Sequence, residues 1–125
     1  MDEQKYNLEQ SIAELDRLLN LSAKETDKAA CEDLAEKARI IYEQYPESED
    51  IALRYARILV NLSTEQTELK ELETTVEKVQ DLQQQFPDSP NIAEALARIL
   101  FNLSTEQTEL KELETTVEKV QDLQQ

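Results

Sequence analysis

The sequence predicts an all-α protein: an α-solenoid of three helix-turn-helix repeats with six antiparallel helices. First, residues 61–84 and 102–125 carry the same 24-residue sequence, NLSTEQTELKELETTVEKVQDLQQ, displaced by 41 positions. Second, the chain contains no glycine and three prolines, which leaves long stretches of helix-forming residues. Third, apolar residues recur at spacings of three and four in these stretches. Such an array buries its core between neighbouring repeats.

The 41-residue step divides the single domain, residues 1–125, into units of about 5–45, 46–86 and 87–125. The first unit is a diverged copy, because the Asn-Leu-Ser of residues 20–22 precedes that of residues 61–63 by one step. Each unit is predicted to hold a shorter helix followed by a longer one. The shorter helices are placed at 5–21, 49–62 and 90–103, and the longer ones at 24–45, 65–85 and 106–125.

Short motifs mark the expected helix ends. Three serines followed three residues later by Glu or Gln have the spacing of a capping box and predict the starts of the long helices; they are Ser22, Ser63 and Ser104. The alternative start points are Thr26, Thr67 and Thr108. Pro46 and Pro87 should end the first two long helices, because proline lacks a donor and disfavours helix in the preceding residue. Ser48 and Ser89 are expected to cap the short helices that follow.

Each helix carries an apolar stripe that should face the core. In the second unit the long helix contributes Leu69, Leu72, Val76, Val79, Leu82 and Phe86. The short helix of that unit contributes Ile51, Tyr55, Ala56, Ile58, Leu59 and Leu62. Cys31 occupies the position of Leu72 and Leu113, so it is expected to be a reduced core thiol.

The net charge of −15, from 28 acidic and 13 basic residues, disfavours nucleic acid and anionic membrane surfaces and favours neutral or basic partners. The chain lacks histidine, tryptophan and a glycine-rich phosphate loop, so we expect no enzyme activity, no cofactor and no metal site. No signal peptide or apolar run long enough to span a membrane is apparent, which predicts a cytoplasmic location.

The spacing of helix-ending and small residues within each repeat resembles that of the tetratricopeptide family. It most closely resembles a tetratricopeptide-like class with about 42 residues per unit and high internal identity. The resemblance rests on the proline that closes a long helix and the alanine ten residues later, Pro46 with Ala56 and Pro87 with Ala97. The usual unit is shorter, and its small residue is usually glycine. The resemblance implies a right-handed superhelix whose first helices line a concave groove for a peptide or protein.

Transferred to this chain, the resemblance predicts groove residues on the short helices of the second and third units. They are Asp50, Leu53, Arg54, Arg57, Val60, Asn61, Asn91, Glu94, Ala95, Arg98, Phe101 and Asn102. The first unit would add Ile12, Ala13, Asp16, Leu19 and Asn20, although Leu15, at the position of Ala56, could instead mark an end cap.

The second and third units differ mainly at these positions, which is typical of a variable recognition surface on a constant scaffold, with Arg57 and Arg98 as donors to a carboxylate. Neutral drift after duplication predicts the same pattern. Asn20, Asn61 and Asn102 are expected to form a solvated polar row at helix ends or, alternatively, to bond the backbone of a bound peptide.

A second hypothesis belongs to another class of function. The last long helix keeps the interior apolar pattern of Leu110, Leu113, Val117, Val120 and Leu123. On this view the chain is a structural or engineered repeat module, or a fragment of a longer array, that self-associates end to end as a homo-oligomer and has no other ligand.

Overall fold

A computed structural model describes residues 2–124 of the chain, with side chains described from residue 7 to residue 123. Within this range the chain is all helical. Its five helices are α1 (Asp2–Lys24), α2 (Lys28–Gln44), α3 (Glu49–Glu65), α4 (Leu69–Gln85) and α5 (Pro90–Gln124). The predicted end of the last helix, Gln125, lies outside the described residues.

The proline and serine signals at the repeat junctions are confirmed. Ser48 caps α3 by accepting a hydrogen bond from the Ile51 amide at 3.2 Å, and Ser89 caps α5 by accepting one from Ile92 at 3.3 Å. The helices α2 and α4 end two residues before Pro46 and Pro87. Each junction is therefore set by local sequence.

The predicted capping boxes are wrong, since the serines lie inside helices. Ser22 and Ser63 are almost fully buried, and their hydroxyls donate to the carbonyls of Leu19 and Val60 at 2.8 and 2.6 Å. The long helices begin later, at Lys28 and Leu69, two residues beyond the alternative threonine start points. An N-cap residue needs a non-helical backbone, so these serines, which lie inside helices, cannot cap a new one, and their hydroxyls donate to the carbonyl three residues earlier instead.

The prediction of six helices is also wrong for the described chain, because the third unit does not form a hairpin. The sequence that makes the turn Gln66–Glu68 in the second unit is helical throughout in the third, so α5 runs for 35 residues. Every side chain from residue 107 to residue 123 is exposed, and we call residues 107–123 the free segment.

Packing explains why identical sequences fold differently. Each second helix, α2 or α4, packs more extensively against the first helix of the next unit than against its own hairpin partner. Among the described residues no helix lies beyond α5 to cover the free segment in that way. Folding back would gain only the smaller contact, whereas a continuous helix keeps its backbone hydrogen bonds without a turn.

The core lies between α1, α3 and α5 on one side and α2 and α4 on the other. The predicted stripe of α3 is confirmed: Ile51, Ala56, Ile58 and Leu59 are fully buried and Tyr55 nearly so. On α4, Leu72, Val76, Val79 and Leu82 are buried. Cys31 is completely buried, and this burial raises the pKa of its thiol, in agreement with the predicted core thiol. Leu15 is also fully buried, so it joins the core.

Candidate functional site

The first helices of the units lie side by side, because α3 packs against both α1 and α5. Between them lies a cavity of about 270 Å³ that is lined by residues of α1, α3 and α5. Its lining residues are Leu19, Arg57, Val60, Asn61, Asn91, Glu94, Ala95 and Arg98. Helix α5 contributes to this lining although the third unit does not form a hairpin.

A second cavity of about 450 Å³ adjoins the first and shares Val60, Asn61, Glu94 and Arg98 with it. It extends over the outer surface of α3 and α5 to Thr64, Ala97, Phe101 and Asn102. We call the two cavities together the groove. Nine of the twelve residues predicted for the second and third units line it, and so does Leu19 of the first unit.

The structure leaves three predicted residues, Asp50, Leu53 and Arg54, out of the groove lining. Arg54 makes contacts within the protein: its Nε lies 2.7 Å from the Asp16 carboxylate of α1, and its Nη1 donates to the Asp50 carbonyl at 2.9 Å. Its side chain is consequently only 24% exposed. Arg54 ties α1 to α3 at the edge of the groove.

The two arginines predicted to bind a carboxylate differ in their surroundings. Arg98 pairs with Glu94 one turn earlier at 2.8 Å, on a side chain that is 65% exposed. Arg57 is exposed and has no ion-pair partner among the described side chains. Arg57 is therefore the more available cation in the groove, since a ligand carboxylate at Arg98 would compete with Glu94.

The asparagines do not form the solvated row that was expected. Asn61 and Asn102 are partly buried, and their amide Nδ2 groups donate to the hydroxyls of Ser22 and Ser63 in the preceding unit, both at 2.9 Å. The hydroxyl of each serine in turn donates to the backbone carbonyl three residues earlier in its own helix. The asparagines therefore tie one unit to the next, while Asn20 of the first unit is exposed.

Sequence reasoning missed these ties and two others between second helices. Lys28 Nζ lies 3.0 Å from the Glu71 carboxylate, and this hydrogen bond raises the pKa of Lys28. The hydroxyl of Tyr42 donates to Gln85 at 2.7 Å. All four ties join residues 39 to 43 positions apart, which is close to the repeat step. Polar residues separated by about one step were the signal that could have found them.

A separate cavity of about 300 Å³ lies among α2, α3 and α4, away from the groove. Arg39, which lines it, is paired with Glu36 and Glu43, and Thr75 donates to Gln66 at 2.9 Å. Several polar side chains of this cavity are therefore paired with one another.

Within the described side chains, no cluster of acidic, cysteine or histidine residues is placed to hold a metal ion. None of the helices over residues 2–124 is long and apolar enough to cross a membrane. Comparisons with protein-family models, with curated proteins and with solved structures found no match to this chain.

Proposed function

We propose that the chain is a non-enzymatic scaffold that binds an extended peptide or protein segment in the groove. The observation that supports this best is the convergence of Arg57, Val60 and Asn61 of α3 with Glu94 and Arg98 of α5 on two adjoining cavities. Cavities of this size accept a few side chains each, and helices side by side leave both ends open for a longer ligand.

The groove residues define the chemistry of the ligand. A carboxylate, either an acidic side chain or a peptide C-terminus, would accept hydrogen bonds from Arg57. An apolar side chain would lie against Phe101, which is 69% exposed, and the half-buried Val60. Since the whole chain carries −15, the rest of the ligand should be neutral or basic.

The test begins with selection of binders from a random peptide library on the immobilised protein, followed by affinity measurement by calorimetry. Arg57→Ala should weaken a selected carboxylate peptide about tenfold or more, because it removes a charge-assisted hydrogen bond. Arg98→Ala should weaken it less, since Arg98 already pairs with Glu94.

The matched control is Arg17→Ala, which removes the same charge from an exposed arginine of α1 that pairs with Glu14 outside the groove. It should leave the affinity unchanged within about twofold. If Arg57→Ala binds the selected peptides as well as the unchanged protein does, while helicity is preserved, the groove is not their site.

A further inference from the structure

The free segment continues an apolar stripe that is buried in the body of the protein. On α5, apolar residues follow a seven-residue pattern that is interrupted once, by Glu106, at Ile92, Leu96, Ile99, Leu103, Leu110, Leu113, Val117 and Val120. Ile92, Leu96 and Ile99 are buried, whereas Leu110, Leu113, Val117 and Val120 are 42% to 61% exposed. A seven-residue apolar repeat on an uncovered helix is the sequence pattern of a coiled coil.

We propose that the free segment pairs with the free segment of a second copy of this chain, antiparallel and related by a two-fold axis. In that arrangement Leu110 of one copy meets Val120 of the other, and Leu113 meets Val117. These pairs are symmetric about one point near residue 115, so one stripe is complementary to itself. A two-fold contact of this kind closes and forms a dimer.

Stacking of the free segment on α1 of another copy lacks a suitable surface. On α3, the face that contacts α2 includes Tyr55, whose ring stacks on Tyr42 at 5.4 Å. One step earlier in the sequence, α1 has Glu14 at the position of Tyr55, and its neighbours on that face, Gln10 and Arg17, are exposed and polar. This polar face of α1 would pack poorly against the leucine and valine side chains of the free segment.

The charges beside the stripe favour antiparallel over parallel pairing. In a parallel pair, Glu109 of each copy would lie against Glu114 of the other, which gives two repulsive contacts. In the antiparallel pair Glu109 faces Leu123, and Thr116 faces its own counterpart. One repulsive contact remains, between the two copies of Glu114.

The chain exposes more surface than a compact protein of its mass. The chain exposes 8309 Å², whereas a compact monomer of 14.4 kDa exposes about 6,800 Å². The difference of about 1,500 Å² exceeds the roughly 800 Å² that each partner contributes to an interface of standard size.

The experiment is sedimentation equilibrium of the 125-residue chain from about 10 µM to 1 mM, a range suited to a short coiled coil. The mass should rise from 14.4 kDa toward twice that value and no further. Added salt should increase the dimer fraction, because it screens the repulsion between two copies that each carry −15. A mass that stays monomeric at both low and high salt, or that grows beyond the dimer, overturns the proposal.

A matched pair of variants locates the contact. Leu113→Glu with Val117→Glu should raise the dissociation constant at least tenfold, because it places charges in the paired stripe. Thr108→Glu with Thr115→Glu adds the same charge at exposed positions on the opposite face of the helix. This control variant should change the dissociation constant by less than about threefold. Equal effects of the two variants would show that charge alone controls association and would overturn the proposal.

Cross-linking tests the orientation. Leu110→Cys chains mixed with Val120→Cys chains should form a disulfide between unlike chains, since these positions meet in the antiparallel pair. The native Cys31 is fully buried and does not compete. Cross-links between like chains alone, Leu110→Cys with Leu110→Cys, would indicate parallel pairing and refute the two-fold antiparallel arrangement.

Discussion

Leu72 and Leu113 have the same neighbours in sequence and opposite surroundings in the structure, so they allow a direct test of what stabilises this fold. Leu72 is completely buried, whereas Leu113 is 61% exposed. Leu72→Ala removes three carbons that contribute about 0.8 kcal/mol each by transfer, or roughly 2.4 kcal/mol. The cavity left behind brings the expected loss in the free energy of unfolding to about 2–5 kcal/mol.

Leu113→Ala should cost far less. Less than half of the same transfer free energy applies at a site that is 61% exposed, about 1 kcal/mol, and no enclosed cavity forms. Alanine also has the higher helix propensity, which offsets a few tenths of a kcal/mol. The expected loss is about 0.5–1 kcal/mol, several-fold smaller than at Leu72.

Urea unfolding followed by circular dichroism measures both losses. With a slope of about 2 kcal/mol/M, a loss of 3 kcal/mol lowers the midpoint by about 1.5 M, and a loss of 0.5 kcal/mol lowers it by about 0.25 M. The measurement belongs at low micromolar concentration, where the proposed dimer is dissociated. Equal losses for the two variants at that concentration would mean that Leu113 is covered within the monomer, and the continuous α5 would be refuted.

Two other predictions concern buried polar groups. Burial raises the pKa of Tyr55 to about 12, so the unfolded chain ionises first as the pH rises above about 10, and the free energy of unfolding should fall by roughly 2 kcal/mol by pH 12. Tyr55→Phe should lose less over this window in urea unfolding, and an identical loss would contradict this prediction. Asn102→Ala should cost about 1–2 kcal/mol, because it removes the donor to the buried Ser63, whereas Asn20→Ala, at an exposed position, should cost less than about 0.5 kcal/mol in the same assay.

The sequence predicted those features of the fold that depend on local signals. The proline stops, the serine caps at Ser48 and Ser89 and the apolar stripes of α3 and α4 are where the residues place them. Nine predicted groove residues also come together, because a constant helical register puts them on one side of adjacent helices. The sequence did not predict the features that depend on a neighbouring unit, such as the hydrogen bonds of Asn61 to Ser22 and of Asn102 to Ser63.

The turn between α3 and α4 shows the same limit most clearly, because its sequence recurs unchanged inside α5. Local signals at the turn are weak: Glu68 precedes α4 without a side-chain capping hydrogen bond in the described structure. Within the second unit Thr75 donates to the buried Gln66 side chain, and from outside the unit the turn is held by the packing of α4 on α5 and by the hydrogen bond of Asn102 to Ser63. A turn that depends on tertiary contacts cannot be read from its own residues.

Proline substitution at the two copies of this turn should therefore have opposite outcomes. Gln66 has the extended backbone, with φ of −91° and ψ of 127°, that a following proline requires, so Thr67→Pro should be tolerated within about 1 kcal/mol. Thr108 lies within α5, where proline removes a helix hydrogen bond and costs about 3 kcal/mol locally.

Circular dichroism distinguishes the two variants, because the part of α5 beyond Thr108 is too short to stay fully helical once it is separated from the body. Thr108→Pro should lower the ellipticity, whereas Thr67→Pro should leave it nearly unchanged. The reverse order would mean that the turn sequence itself selects the hairpin. Equal tolerance at both positions would mean that the third unit already bends at residue 108, and the explanation by missing tertiary contacts would fail.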